Sequence, residues 1–179
     1  MEIRIGSYVA ASFLLERQPH QWHTLVVLDS GKQPTDFLKT HARSYLYLRF
    51  DDVEEPRANK EMPTKDVIEQ ALNFAAGKDK LLVSCRAGQG RSVALAYVIS
   101  CREHGSPEAT KILNPTRHRP NRLVVTLGDS LLQTAEVLDR FDDWRRRHSH
   151  IQLSDYYDEM EKEFDALEAQ GACNRICVP

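Results

Sequence analysis

Strands that alternate with helices predict one α/β domain, with a central, mostly parallel sheet flanked by helices and a helical C-terminal half. Three observations carry this. The run Leu81-Leu82-Val83-Ser84 is short, apolar and bounded by charge on one side and glycines on the other, the pattern of a buried parallel strand. Residues 91–103 are apolar almost all round, through Val93, Ala94, Leu95, Ala96, Tyr97, Val98 and Ile99, which predicts a central helix buried on every side. Residues 44–50 alternate polar and apolar positions with aromatic side chains, a strand signal.

The other elements follow in chain order. Residues 3–8 and 24–28 read as short strands, with a helix over 11–17 between them. The stretch 51–63 is acidic, contains Pro56 and Pro63, and reads as a loop. Thr64 caps a helix through Ala76, with Val67, Ile68, Ala71, Leu72 and Ala75 on its inner face and Gly77 as its stop. Residues 85–90 form a turn into the buried helix, which Gly105 ends. Ser106-Pro107-Glu108 then reads as N-cap, proline at N1 and an acidic second position. Asn121 caps one long helix to about Arg146, and Ser154 caps a last one to about Gln170, with Gly171 as its stop. Residues 1–150 are expected to form the main domain, and 151–179 an appended helix and tail.

The 179 residues, 41% hydrophobic and 28% charged, suffice for a core without disulfides or metals. With 24 Lys and Arg against 26 Asp and Glu, the net charge of −2 gives no reason to expect nucleic acid or an anionic membrane as partner. Affinity for an anionic substrate must therefore come from local design. No apolar run approaches the roughly 18 residues of a membrane span. The apolar stretch 8–15 lacks the basic flank and cleavage site of a signal peptide, so a cytoplasmic location is expected. Cys85, Cys101, Cys173 and Cys177 do not form a disulfide framework. Cys173 and Cys177 make one C-x3-C pair with no second pair or histidine to complete a zinc tetrahedron, so that end reads as a frayed tail and no metal is expected. Tyr157, Met160, Phe164 and Leu167 form a narrow apolar stripe on the last helix, suited to packing on its own domain or to a dimer or partner contact.

The segment that carries chemistry is L-L-V-S-C-R-A-G-Q-G-R-S, residues 81–92. A buried strand runs into Cys85; Arg86, Ala87, Gly88, Gln89 and Gly90 follow; then come Arg91 and Ser92 at the start of the buried helix. Glycines let successive backbone N–H groups curl into an anion-binding nest. The helix N-terminus adds its unpaired N–H groups and positive dipole end. Both favour the thiolate of a cysteine at the centre. Arg91 can fork two parallel hydrogen bonds to phosphate oxygens. Ser92 is close enough in sequence to reach the thiolate and stabilise it as a leaving group.

C-R-A-G-Q-G-R-S, from Cys85 to Ser92, resembles the C-x5-R-[S/T] phosphate loop of the cysteine-based protein tyrosine and dual-specificity phosphatases. With Pro120-Asn121 and Asp129 downstream, the chain is similar to the compact, dual-specificity-like bacterial branch over roughly residues 20–140. The resemblance implies phosphate monoester hydrolysis through a phosphocysteine, with Cys85, Arg91 and Ser92 in catalysis, residues 86–91 binding phosphate, and no cofactor. It also implies a general-acid aspartate some thirty-odd residues before the cysteine. Asp51 lies 85 − 51 = 34 residues upstream and Asp52 85 − 52 = 33. Phe50-Asp51-Asp52-Val53 fits the apolar-x-Asp-apolar pattern with Asp52 as the acid and Asp51 as the alternative. Successive residues of a strand point to opposite faces, so only one of the two can enter the pocket. Ser84 departs from the family, which usually carries histidine before the cysteine; a serine donates a hydrogen bond but brings no positive charge.

The remaining candidates have plainer readings. Arg86 faces either substrate or solvent. Asn121 reads as an N-cap rather than a ligand, and Asp129 as a structural partner. Cys101 reads as core: it lies ten residues beyond Arg91 on one helix, about 15 Å away, too far to pair with Cys85. The run 144–148 follows Asp139, Asp142 and Asp143 and reads as a solvated helix end. The expected partner is a phosphorylated substrate, a protein in the first instance. A lipid, a nucleotide or an RNA end are the other candidates. The rival readings are a phosphate-binding module without turnover, which Ser84 motivates, and sulfur transfer or arsenate reduction, which would need further cysteines near the loop.

Overall fold

The computed structural model describes residues 1–151, 162–163, 165–167, 169–171 and 174–178. In chain order they form β1 (Glu2–Ser7), α1 (Tyr8–Arg17), β2 (His23–Leu28), β3 (Gln33–Pro34), α2 (Phe37–His41), β4 (Ser44–Arg49), α3 (Lys65–Ala75), β5 (Lys80–Cys85), α4 (Arg91–His104), α5 (Ser106–Ala109), α6 (Arg122–Leu132), α7 (Glu136–Arg147) and β6 (Cys177–Val178). Four strands make one parallel sheet in the order β1-β5-β2-β4. The expected α/β domain with a central parallel sheet is the architecture found. Among the described residues no helix is long and apolar enough to cross a membrane.

The two central strands are buried on both faces, which is why they read as unbroken apolar runs. Their side chains alternate between two cores. Leu25, Val27, Leu81, Val83 and Cys85 face the larger core with α3, α4, α6 and α7. Val26, Leu28 and Leu82 face the smaller one with Tyr8, Ala11 and Leu15 of α1. Helix α4 lies in the larger core, buried from Arg91 to Cys101. Strand β5 and α4 thus hold the turn between them at the carboxyl edge of the sheet, where open α/β sheets place their ligands.

Several expectations need correcting. The single helix expected over 121–146 is two helices, α6 and α7, meeting at Gln133 in the left-handed region (φ 55°). Twenty-six residues of straight helix would span roughly 39 Å, longer than a small domain. The turn folds α7 back, so that Phe141 packs on Tyr97 and the Tyr97 hydroxyl donates to Val137 O at 2.9 Å. No glycine or proline marks the break. Thr134 Oγ1 and Asp129 Oδ1 accept the first N–H groups of α7, from Glu136 and Leu138. Helix α1 starts at Tyr8 rather than Ala11, capped by Ser7, whose hydroxyl accepts from Ala10 N at 3.1 Å. Gly105, not Ser106, stands at the N-cap of α5, and the Ser106 hydroxyl donates to Glu136 of α7 instead.

The frayed-tail reading also fails for the part described. Ile176 and Cys177 are buried in the smaller core, and β6 pairs antiparallel with β3. Thr35 N donates to Ile176 O at 3.0 Å. Ser154, Tyr157, Met160, Phe164 and Cys173 lie outside the described residues, which leaves only the half-buried Leu167 of the proposed stripe described.

Candidate active site

A cleft of about 760 Å³ opens at the carboxyl edge of the sheet, lined by Cys85, Arg86, Ala87, Gln89, Gly90 and Arg91 on one wall and by Asp29 and the 51–53 segment on others. Cys85 ends β5, and its Sγ lies 3.1 Å from Ser92 Oγ, within hydrogen-bond reach. The backbone N–H groups of residues 86–90 have no acceptor among the described residues, which is what an anion-binding loop requires. Gly88 sits at φ +71° and a Cβ there would fall 2.5 Å from the backbone of Gly6 and Ser7, so the loop curls tightly over the end of β1 and admits only glycine at this position. Gln89 O and Gly90 O accept from Arg119 N and Asn121 N, which ties the loop to the segment before α6.

Arg91 is the first residue of α4, and its side chain is only 5% exposed. Nη1 donates to Phe50 O at 2.9 Å and pairs with Asp29 Oδ1 at 2.6 Å. Nε is buried and, like Nη2, has no partner among the described residues. Burial opposes the guanidinium charge, but Cys85, Asp29 and Asp52 more than offset it and push the Arg91 pKa up.

Both adjacent aspartates line the cleft, against the expectation that only one could enter it, because they lie beyond the end of β4 where strand alternation no longer applies; their environments still differ. The Asp51 carboxylate is buried and accepts from Glu61 N at 2.9 Å and from Lys60 at 3.2 Å. Burial would raise its pKa, but hydrogen bonds from Ser30, Glu61 N and Lys60 outweigh that and hold it at about 2. Asp51 therefore anchors the loop over 51–61, whose ends also join through Asp51 N to Glu61 O at 2.7 Å. Asp52 is exposed, lines the cleft, and packs against Gly90, where a Cβ would meet its Oδ2 at 2.1 Å. Its Oδ1 accepts from Asn121 Nδ2 at 2.8 Å. The buried Val53 beside it fixes the segment from below.

The structure thus brings Cys85, Arg91 and both aspartates to one cleft, with Ser92 beneath Cys85 and the Asp51 carboxylate bound into the 51–61 loop. Arg86 is exposed and lines the cleft. Ser92 lies fully buried beneath the loop. Sequence reasoning missed two residues. Asn121 is the N-cap it was read as, with Oδ1 accepting from Val124 N at 3.1 Å, but its Nδ2 also holds Asp52. Asp29, directly after β2, carried no signal.

No family model matches the sequence, and no curated protein does. Solved structures do match. The Cydia pomonella PTP-2 phosphatase superposes with a TM-score of 0.52 at 17% identity, over 73% of this chain and 85% of that one. PTPMT1, solved in complex with PI(5)P, superposes with a TM-score of 0.52 at 13% identity, over 78% of this chain and 94% of that one. The chain has the cysteine-based phosphatase fold. Within that phosphatase fold the serine at position 84 is fully buried, and its Oγ has no partner among the described residues. It lies on β5 beside Gly6 of β1 and Val26 of β2.

Proposed function

We propose that this protein hydrolyses phosphate monoesters through a covalent intermediate on Cys85. The observation that carries the reading is the set of groups in one cleft: Cys85 Sγ, 3.1 Å from Ser92 Oγ, with the free Nε of Arg91, unspent loop N–H groups and Asp52 around it. The loop N–H groups and Arg91 hold the phosphoryl oxygens and neutralise the charge that spreads over them in the transition state. The Cys85 thiolate attacks phosphorus while the bond to the leaving oxygen breaks, and Asp52 gives that oxygen its proton. Water then attacks the phosphocysteine. The Asp52 carboxylate takes the water's proton, the P–S bond breaks, and the Ser92 hydroxyl donates to the departing thiolate. Asn121 supports both steps by holding the Asp52 carboxylate at the rim.

Tyrosine- or dual-specificity-type action on a phosphoprotein is the first substrate reading, supported by the resemblance of the 85–92 loop. A non-protein substrate is the second. Its support is that PTPMT1, a structural neighbour, was captured with PI(5)P, and that Lys32, Arg57 and Arg86 add cations to the cleft. The test is turnover of an aryl phosphate in the presence of a chelator, with inhibition by vanadate. A panel of phosphopeptides and phosphoinositides then separates the substrate readings. Protein that binds vanadate or tungstate but turns over none of these substrates is a binding module, and the catalytic reading fails.

A further inference from the structure

We infer that Asp29 is a positioning residue: it is the resting counterion that aims Arg91, so that the Nε–Nη2 edge of the guanidinium is presented to the substrate phosphate. The inference rests on the proposed function and assigns a residue that the phosphate-loop motif does not contain. A guanidinium that is 5% exposed needs an anion close by when no phosphate is bound, because an unpaired charge is costly to bury. Asp29 Oδ1 supplies it at 2.6 Å from Nη1. Nη1 also donates to Phe50 O at 2.9 Å, so two acceptors on different strand ends fix one corner of a planar group. A plane held at one corner by two fixed acceptors has little freedom to rotate. The opposite edge, Nε with Nη2, is left without a partner among the described residues. That edge carries two parallel N–H donors, the arrangement that takes two oxygens of a phosphate.

Asp29 is itself held in place. It follows the last residue of β2, a central strand paired with β5, which ends in Cys85. Arg49 Nη1 donates to the carbonyl oxygens of Asp29, Ser30 and Lys32 at 3.3, 3.0 and 2.5 Å, which pins the turn that carries it. Just beyond that turn, β3 pairs with β6. The carboxylate therefore reaches Arg91 from a rigid frame, and the position of the guanidinium follows from the sheet rather than from the loop.

The test compares Asp29→Ala and Asp29→Asn with wild type by calorimetric tungstate binding, by kcat and KM on an aryl phosphate, and by thermal melting. Asp29→Ala removes the anchor and is expected to weaken tungstate binding roughly tenfold, about 1.4 kcal/mol, with kcat reduced as well. Asp29→Asn keeps an amide oxygen for Nη1 and is expected to recover most of both losses, although it lacks the charge. Rescue by asparagine at unchanged melting temperature separates aiming from a general structural role. Tungstate binding to Asp29→Ala as tight as to wild type, or tighter, overturns the inference, since the aspartate would then be idle or a competitor for Arg91. Equal losses in both variants also overturn it. Wild type that binds no tungstate removes the phosphate site, and the inference with it. Wild type that binds tungstate without turnover leaves the binding comparison decisive and sinks only the catalytic reading.

Discussion

Helix α4 has a buried cysteine near each end. At the N-terminal end Cys85 is 2% exposed, lies 3.1 Å from Ser92 Oγ, has Arg91 beside it, and is followed by five residues whose N–H groups are unspent among the described residues. Toward the C-terminal end Cys101 is 7% exposed and has Tyr97 as its polar neighbour, and the helix closes with Gly105 N on Cys101 O at 3.0 Å. Burial pushes the Cys101 thiol up to about 11, so it stays neutral and packs as a small apolar group. Both thiols are buried and both belong to the same core. The difference shows that burial alone silences a cysteine. The chemistry proposed for Cys85 needs donors and a cation facing it, and only the N-terminal end has them: the helix's unpaired N–H groups and the Arg91 side chain.

The largest effect expected from this contrast is on turnover. Cys85→Ser removes the proposed nucleophile and should abolish measurable hydrolysis of an aryl phosphate. Cys101→Ala should change kcat by less than about twofold and lower stability by roughly 1 kcal/mol through the small cavity it leaves. Substantial turnover by Cys85→Ser, or loss of chemistry in well-folded Cys101→Ala, breaks the distinction between the two ends.

The next effect sharpens the picture of the N-terminal end. Asp52 packs on Gly90, just before α4, while Asp51 points into the 51–61 loop. Asp52→Asn should slow hydrolysis of an alkyl or tyrosyl phosphate by about 10² to 10⁴, the usual worth of a positioned acid. It should slow cleavage of a nitrophenyl ester less, because that leaving group needs no proton. Asp51→Asn should show no such dependence on leaving group. Rates measured for both variants on one good and one poor leaving group decide the assignment, and the larger loss falling on Asp51 reverses it.

The smallest effect concerns stability. Asp51 is held at about 2, below its ordinary 3.8, so the ionised carboxylate favours the folded state. Its contribution is present in full above about pH 4 and is lost as pH falls through 2. Asp51→Asn should be less stable than wild type at pH 7 by roughly 1–3 kcal/mol, from hydrogen bonds to a charged group. That gap should close between pH 4 and pH 2 in denaturant titrations. A gap that is constant with pH would mean the carboxylate charge plays no part in holding the loop.

How much was legible depended on how local each signal was. Cys85, Arg91 and Ser92 sit within eight consecutive residues between a strand and a helix, so their grouping follows from the chain itself. The preference for Asp52 over Asp51 came from the resemblance, and the structure adds a difference between the two: Asp51 is buried and bound to Glu61 N and Lys60, while Asp52 is exposed at the cleft. The break between α6 and α7 was not, since Gln133, Thr134 and Ala135 carry no glycine or proline and the amphipathic pattern runs through them. Only the need to fold Phe141 and Trp144 back onto the core makes the chain turn there. The end of the chain was misread for a similar reason. Ile176 and Cys177 look like a short apolar remnant until β3 offers them an edge.

By itself the sequence determined the parallel α/β architecture, the buried helix and the glycine-bearing turn between β5 and that helix. These rest on local periodicity, on glycine geometry and on residues a few positions apart. Tertiary structure alone decided which distant groups meet the loop. Asp29 reaches Arg91 because the sheet order sets β2 beside β5, and Asn121 reaches Asp52 across 69 residues because α6 starts where the 85–90 loop closes. Strand order and helix packing are fixed by burial of two apolar cores, a property of the whole chain, and no short window of sequence contains it.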